Sequence, residues 1–292
     1  MTNIYRPPYI LRVYIKIIIC DSINIKIIKC ITFHYKGHLV AFKERKIDYM
    51  DREERDAKIE KLAKWIKESK YTVVLTGAGM STESGIPDFR SKDGLWHKKK
   101  PPKLSSKKAL VADYGGYVDS YKEGMKNRPN YKPHQGYEIL AGWEDKGLVE
   151  SIITQNVDDL HVAAGSRNLY RLHGSLFEFK CNDCSTPAIK DHFLDKIPCE
   201  VCGGRLRPTI VYFGESLPKE ELYDSIEEMK KAELVLIIGT SLVVSPVKKF
   251  PQLTQGKTVY INNETKEDDF DLVFIGRAGE ILEDVNKKLG AI

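Results

Sequence analysis

The chain has 292 residues, 42% of them hydrophobic and 30% charged, which suits a globular protein with one large domain or a large and a small one. No stretch approaches the roughly 20 apolar residues that a membrane-spanning helix needs. The net charge of +5 gives no argument for nucleic acid as a partner. Residues 1–49 carry nine Lys/Arg against three Asp/Glu, a net +6, which leaves −1 for the rest.

Residues 1–49 are rich in Ile, Lys and Tyr, as in Ile15-Lys16-Ile17-Ile18-Ile19. Charges interrupt each apolar run, which argues against a signal peptide or a membrane helix. A short β-hairpin and an amphipathic anchor both fit. So does an over-extended gene start, with the functional protein beginning at Met50.

From Asp51 to Lys70, Ile59, Leu62, Ala63 and Ile66 recur at helical spacing. Tyr71–Leu75 then reads as a buried strand. Further strands are expected at Ser151–Thr154, Leu234–Ile238, Thr258–Ile261 and Leu272–Ile275, and helices at Gly136–Lys146, Leu217–Lys231 and Glu280–Leu289. Short apolar strands alternating with helices predict an α/β fold, a parallel sheet with helices on both faces. Residues 92–132 have weak periodicity and read as a small helical insertion. Residues 180–207 break the alternation with cysteines.

The first strand leads into Thr76-Gly77-Ala78-Gly79-Met80-Ser81-Thr82-Glu83-Ser84-Gly85-Ile86-Pro87-Asp88-Phe89-Arg90. Glycines after a strand let backbone amides approach a pyrophosphate, and they also suit a tight strand-to-helix turn. The second strand ends in Gln155-Asn156-Val157-Asp158-Asp159-Leu160-His161, polar side chains where such folds bind ligands. Capping of a following helix is the other reading of Asp158. Leu172-His173-Gly174 follows.

Cys181/Cys184 and Cys199/Cys202 are two CxxC pairs fourteen residues apart, a spacing suited to one tetrahedral zinc. Four thiolates close the coordination sphere, so the metal would be structural. A pair of disulfides is the other reading. Val211-Tyr212-Phe213-Gly214-Glu215 and Gly239-Thr240-Ser241-Leu242-Val243-Val244-Ser245-Pro246 complete the set of distinctive segments.

Taken together, and in this order, these segments resemble the sirtuin family over about residues 55–292. The resemblance implies a Rossmann-like domain at 50–292, with a smaller module made of the zinc ribbon and the helical insertion. It implies NAD as co-substrate and one structural zinc on Cys181, Cys184, Cys199 and Cys202. The cofactor set it implies is Gly77, Ala78, Gly79, Thr82, Phe89, Arg90, Gln155, Asn156, Val157, Asp158, His173, Gly239, Thr240, Ser241, Asn262 and Ala278. Within it, Asp158 would meet the carboxamide and Arg90 the phosphates. His173, with Asn156, would be catalytic, His173 as general base on the ribose hydroxyls. Val211, Phe213, Gly214, Glu215 and Val243 would hold an acetylated lysine in an extended protein segment. His134 and His161 would pack rather than react.

The activity so implied is NAD-dependent removal of acetyl groups from protein lysines, giving nicotinamide, O-acetyl-ADP-ribose and free lysine. ADP-ribosyl transfer, plain NAD hydrolysis and a non-catalytic NAD-sensing zinc-ribbon module are the alternatives. A cytoplasmic enzyme without nucleic-acid or membrane partners is expected. Sirtuins that prefer succinyl or malonyl groups carry a Tyr-x-x-Arg pair in the insertion. Val118 and Tyr121 stand at those positions here, so neutral acyl groups are expected.

Overall fold

The computed structural model of the chain describes residues 14–15, 31–35, 38–41, 52–89, 94, 107–126, 130–266 and 269–291. Met1–Arg52 and Glu53–Ile292 are two compact units. In the first, β1 (Tyr14–Ile15), β2 (Ile31–Tyr35) and β3 (His38–Ala41) pair antiparallel in that order, with Tyr35 opposite His38 as in a hairpin.

The second unit begins within α1 (Arg52–Glu68), whose Ile59, Leu62, Ala63 and Ile66 form one buried stripe at the spacing expected above. Glu53 and Glu54 in its first turn and Lys67 in its last complement the helix dipole. Strand β4 (Thr72–Thr76) follows, buried at every position. A single 3₁₀ helix, Ala78–Ser84, stands after it where a strand-to-helix turn was expected. The insertion supplies α2 (Lys107–Ala112) and α3 (Tyr114–Lys126). Next come α4 (Gln135–Asp145), β5 (Ser151–Thr154), the one-turn α5 (Leu160–Ala163) and β6 (Leu169–Arg171). The cysteine region contributes β7 (Phe179–Cys181), β8 (Pro187–Ala188), α6 (Lys190–Leu194) and β9 (Leu206–Pro208). Helix α7 (Lys219–Lys231), β10 (Leu234–Ile238), β11 (Lys257–Asn262), β12 (Leu272–Ile275) and α8 (Ala278–Ala291) complete the unit.

Among the described residues, six strands form one sheet in the order β12-β11-β10-β4-β5-β6, every neighbouring pair parallel. The central strands are continuous apolar runs because both faces are covered. On one face, Val73, Leu75, Ile153, Val235 and Ile237 pack with Met229 and Phe250. The other face carries α4 and α8, joined by the Trp143 indole N–H donating to Asn286 Oδ1 at 2.9 Å. The order of the strands along the chain reverses between β4 and β10. That is the switch point where doubly wound sheets open a ligand crevice at the carboxyl ends of their strands.

β8, β7 and β9 form a separate antiparallel ribbon. It shares a small core with the insertion: Leu110, Tyr117 and Val118 from α2 and α3 pack with Phe179, Phe193, Leu206 and Tyr212 around Cys181 and Cys199. The ribbon and the insertion are thus one module. Among the described residues, no helix is long and apolar enough to cross a membrane.

Candidate active site

Two loops meet at the switch point backbone to backbone. The amide of Gly77 donates to the Ile238 carbonyl at 3.0 Å and that of Gly79 to the Gly239 carbonyl at 2.8 Å. A Cβ on Gly79 would lie 2.8 Å from Gly239 Cα, and one on Gly77 2.6 Å from Thr240 Cβ. Gly239 has φ +62, and a Cβ there would be 2.2 Å from Met80 N. Side chains would push these loops apart. The close approach to which Gly77 and Gly79 owe their small size is therefore first of all to the neighbouring loop.

The loops carry a continuous polar network. Asn156, buried after β5, donates through Nδ2 to the Gly77 carbonyl and to Ser81 Oγ, both at 3.0 Å. Ser81 Oγ donates in turn to Asp158 Oδ2 at 2.6 Å and lies 2.8 Å from Tyr137 OH. With its one proton given to Asp158, Ser81 accepts from both Asn156 and Tyr137, which saturates a hydroxyl. Asp158 Oδ1 accepts from the amide of Leu160 at 3.1 Å, an Asx turn leading into α5, whose N-cap is Asp159 rather than Asp158. Ser81 and Tyr137 were not singled out from the sequence. A serine inside a longer motif carries no mark of being its hub.

Gln155 Nε2 donates to Thr240 Oγ1 at 2.9 Å. The Thr240 carbonyl accepts from Asn262 Nδ2 and from Tyr260 OH, each at 3.2 Å. These bonds join the ends of β5, β10 and β11. Thr82 Oγ1 donates to the Gly79 carbonyl at 2.8 Å. Ala78 opens the 3₁₀ helix, Val157 lies between Asn156 and Asp158, and Ser241 follows Thr240 half-buried at the loop. Phe89 is exposed. Ala278 begins α8 and is buried. The Gly279 amide beside it is held by Glu83 Oε1 at 2.7 Å, a long-range cap that the sequence does not announce. Arg90 lies outside the described residues.

His173 follows β6. Its Nδ1 lies 2.9 Å from the Gln155 carbonyl, an atom that can only accept. Nδ1 is therefore the protonated nitrogen of the neutral ring, and Nε2 keeps its lone pair. Burial holds this ring below its usual value of 6.5, opposed by the bond to Gln155. At neutral pH it is a base, not an acid. Gly174, at φ +71, would put a Cβ 2.3 Å from the Thr209 carbonyl, so only glycine lets the His173 segment lie against Thr209–Ile210. The Val211 amide donates to the His173 carbonyl at 3.0 Å and brings the Val211–Glu215 segment alongside. There Phe213 is 81% exposed and Gly214 has φ +87. Glu215 is occupied: its Oε2 accepts from Arg207 Nη2 at 2.9 Å and from the Tyr212 amide at 3.1 Å. Val243, across the crevice loop, is exposed.

His134 and His161 are held in structural contacts. His134 caps α4, its Nδ1 accepting from the Gly136 amide at 3.0 Å and its Nε2 bonded to the Met80 carbonyl at 2.8 Å. His161 is buried, with Nε2 2.9 Å from Thr76 Oγ1, and desolvation and then His134 lower it to about 3.

The four cysteine sulfurs lie within 4.8 Å of one another, Cys181 and Cys202 at 3.4 Å and Cys184 and Cys199 at 3.6 Å. None is in a disulfide. Ligands of a tetrahedral zinc with Zn–S of about 2.3 Å stand roughly 3.8 Å apart, so the cluster fits that ion. Each pair sits on a tight turn: Ser185 N–H donates to the Cys181 carbonyl at 3.2 Å and Gly203 N–H to the Cys199 carbonyl at 2.7 Å.

A doubly wound sheet with polar loops at its switch point, and a four-thiolate ribbon beside it, define a dinucleotide-using α/β protein with a structural metal module. Residues 77–246 match the Sir2 family. The chain is 41% identical over 232 residues to the NAD-dependent protein deacetylase of Oceanobacillus iheyensis, covering 77% of this chain and 98% of that protein. A solved structure described as Sir2-p53 peptide-NAD+ is 32% identical, with TM-score 0.70, covering 80% of this chain and 99% of that one. Another, a Sir2 with deacetylated p53 peptide and 3'-O-acetyl ADP ribose, is 32% identical with TM-score 0.69, covering 80% and 98%. The chain belongs to the Sir2 family.

Proposed function

We propose that this chain removes acetyl groups from protein lysines in an NAD-dependent reaction, with His173 as general base. The observation that carries the assignment of roles is the 2.9 Å contact of His173 Nδ1 with the Gln155 carbonyl, which accepts a hydrogen bond from Nδ1–H and leaves Nε2 free to accept a proton. NAD, when bound, supplies an anomeric carbon from which nicotinamide can depart, so that the acetyl oxygen can be captured there and leave as O-acetyl-ADP-ribose. The chain's own residues orient and deprotonate. Asn156 and Asp158, fixed through Ser81, line the ends of β4 and β5 at the crevice and would hold the nicotinamide half. Gly239, Thr240, Ser241 and Asn262, with Ala278, would hold the adenosine half at the ends of β10 and β11. His173 Nε2 takes a proton from a ribose hydroxyl, a step typically worth about 10²–10⁴-fold. Much of the remaining work is alignment of acyl oxygen, ribose and water.

The substrate is an acetyl-lysine in an extended segment of another protein, running against Val211–Glu215 on one side and Val243 on the other. Zinc on the four cysteines supplies structure: a closed thiolate set has no position for water. Thiols kept reduced for a metal suit a cytoplasmic enzyme. Product analysis by mass spectrometry tests the reading. O-acetyl-ADP-ribose with free lysine is expected. Free ADP-ribose alone would mean hydrolysis, and a modified protein would mean ADP-ribosyl transfer.

A further inference from the structure

We propose that a cavity between the cysteine module and the Val211–Glu215 segment is a subsite for an acidic side chain, Asp or Glu, of the protein that carries the acetyl-lysine. The inference rests on the deacetylase reading above and adds a substrate preference to it.

The cavity measures about 400 Å³, ample for a carboxylate side chain and its waters. Its wall holds three cationic side chains, Lys107, Lys180 and Arg207, and one carboxylate, Glu215, a net charge of +2. Glu215 is already engaged by Arg207 Nη2 at 2.9 Å and the Tyr212 amide at 3.1 Å, and Lys107 Nζ stands 4.0 Å from its other oxygen. Among the described residues, no carboxylate lies within ion-pair distance of Lys180. Arg207 is buried, and among the described residues its Nε and Nη1 have no hydrogen-bond partner. One carboxylate thus stands among three cations and pairs with two of them, Arg207 and Lys107. A partly enclosed cavity focuses their field, so an entering anion is attracted more strongly than it would be on an open surface.

The position of the cavity names the source of that anion. Val211 and Phe213 line it, and the Val211 amide is bonded to the His173 carbonyl at 3.0 Å. The wall of the cavity is therefore the segment along which the substrate runs. A side chain within a few residues of the acetyl-lysine can reach it, and carboxylate chemistry suits two lysines and an arginine.

The test uses acetyl-lysine peptides with a single Glu at successive positions on either side of the lysine, each paired with its Gln counterpart, at saturating NAD. At one position or more, Glu should lower KM roughly threefold or more relative to Gln, the size expected of a partly screened ion pair. Lys107→Gln with Lys180→Gln should bring that ratio to near one, while Lys180→Arg, which keeps the charge, should keep it. Zinc content checks that the module is intact. If the double variant loses zinc, Lys107→Gln alone must reduce the ratio. Added glutarate should raise KM for the Glu peptide and not for its Gln partner. Equal KM for Glu and Gln at every position overturns the subsite, as does a preference that survives the double variant. So does equal inhibition of both peptides by glutarate, which would make the cavity a site for free anions. Turnover of no peptide at all would sink the deacetylase reading and the subsite with it, whereas turnover without a Glu/Gln difference sinks the subsite alone.

Discussion

The hydroxyl of Ser81, in the turn after the first strand of the large sheet, donates a 2.6 Å hydrogen bond to Asp158, 77 residues further along the chain. That bond ties the loop after β4 to the loop after β5, and through Asn156 and Tyr137 it fixes the polar floor of the crevice. Ser81→Ala should leave the buried Asn156 and Tyr137 and the half-buried Asp158 short of one bond each, at a cost of about 1–3 kcal/mol. The loss is expected to fall mainly on kcat/KM, because Asp158 and Asn156 lose their orientation. Wild-type kcat/KM in Ser81→Ala would show that the network is not what positions them.

His173→Ala removes the base whose Nδ1 is pinned by Gln155. Deacetylation should drop by about 10²-fold or more while the protein still folds, since the ring is replaced without disturbing a core strand. The pH profile follows from the same bond. Burial lowers the pKa of His173, so the active, neutral form is lost as pH falls through that lowered value and is fully present above about 6.5. The acid limb of kcat/KM should therefore lie below 6.5. A limb above 7 would mean that another group is titrating.

His161 gives a stability prediction of definite sign. Its folded-state value is depressed to about 3 from 6.5, so between those values the unfolded chain binds a proton that the folded chain does not. Its contribution is complete above about 6.5 and is lost progressively as pH falls towards 3. Urea midpoints should decline over that window, and the decline should be shallower in His161→Gln. An unchanged slope would place the buried cost elsewhere.

Much of this architecture could be read along the chain. Ser151–Thr154, Leu234–Ile238 and Leu272–Ile275 are strands at the expected residues because apolar runs ending in polar or glycine residues have few other uses. Strand β6, Leu169–Arg171, escaped such reading. It has three residues, it lies at the sheet edge, and its Arg171 reaches out to Asp159 at 3.2 Å and Glu178 at 2.9 Å. Glu228 shows the same limit on a helix. Charge periodicity would place it in water, yet it is buried, accepting from Tyr71 OH just before β4 and from Ser151 Oγ of β5. Contacts of this range depend on the fold as a whole, whereas the cysteine pairs and the His-Gly step carry their chemistry locally.

The cysteine module should hold about one zinc per chain by elemental analysis. Cys181 and Cys199 sit inside the same small core as Tyr117, Val118, Phe193 and Leu206, so metal and packing support one another. Cys181→Ala should lose zinc and lower the melting temperature together, because the ion's binding energy is part of the module's folding energy. Active, stable protein without zinc would refute the coupling.

Acyl preference follows from the face of α3 that the module buries. Val118 is fully buried and Tyr121 packs edge-on against Phe179 and Phe193, its hydroxyl donating to the Leu176 carbonyl at 2.8 Å. Neither offers a cation to an acidic acyl chain, and Tyr121 already has an acceptor for its one proton. An arginine at position 121 would have to enter an aromatic cluster, at the cost of burying its charge. Acetyl-lysine should therefore be cleaved faster than succinyl-lysine in the same peptide, by about tenfold or more if one charge-assisted hydrogen bond is the difference. The measurement is kcat/KM on the matched pair at fixed NAD. A succinyl peptide cleaved as fast as the acetyl one would mean that a cation from elsewhere in the chain reaches the acyl group. The Lys107/Lys180 cavity is the first place to look, and the double variant that abolishes the Glu preference would then abolish succinyl cleavage as well.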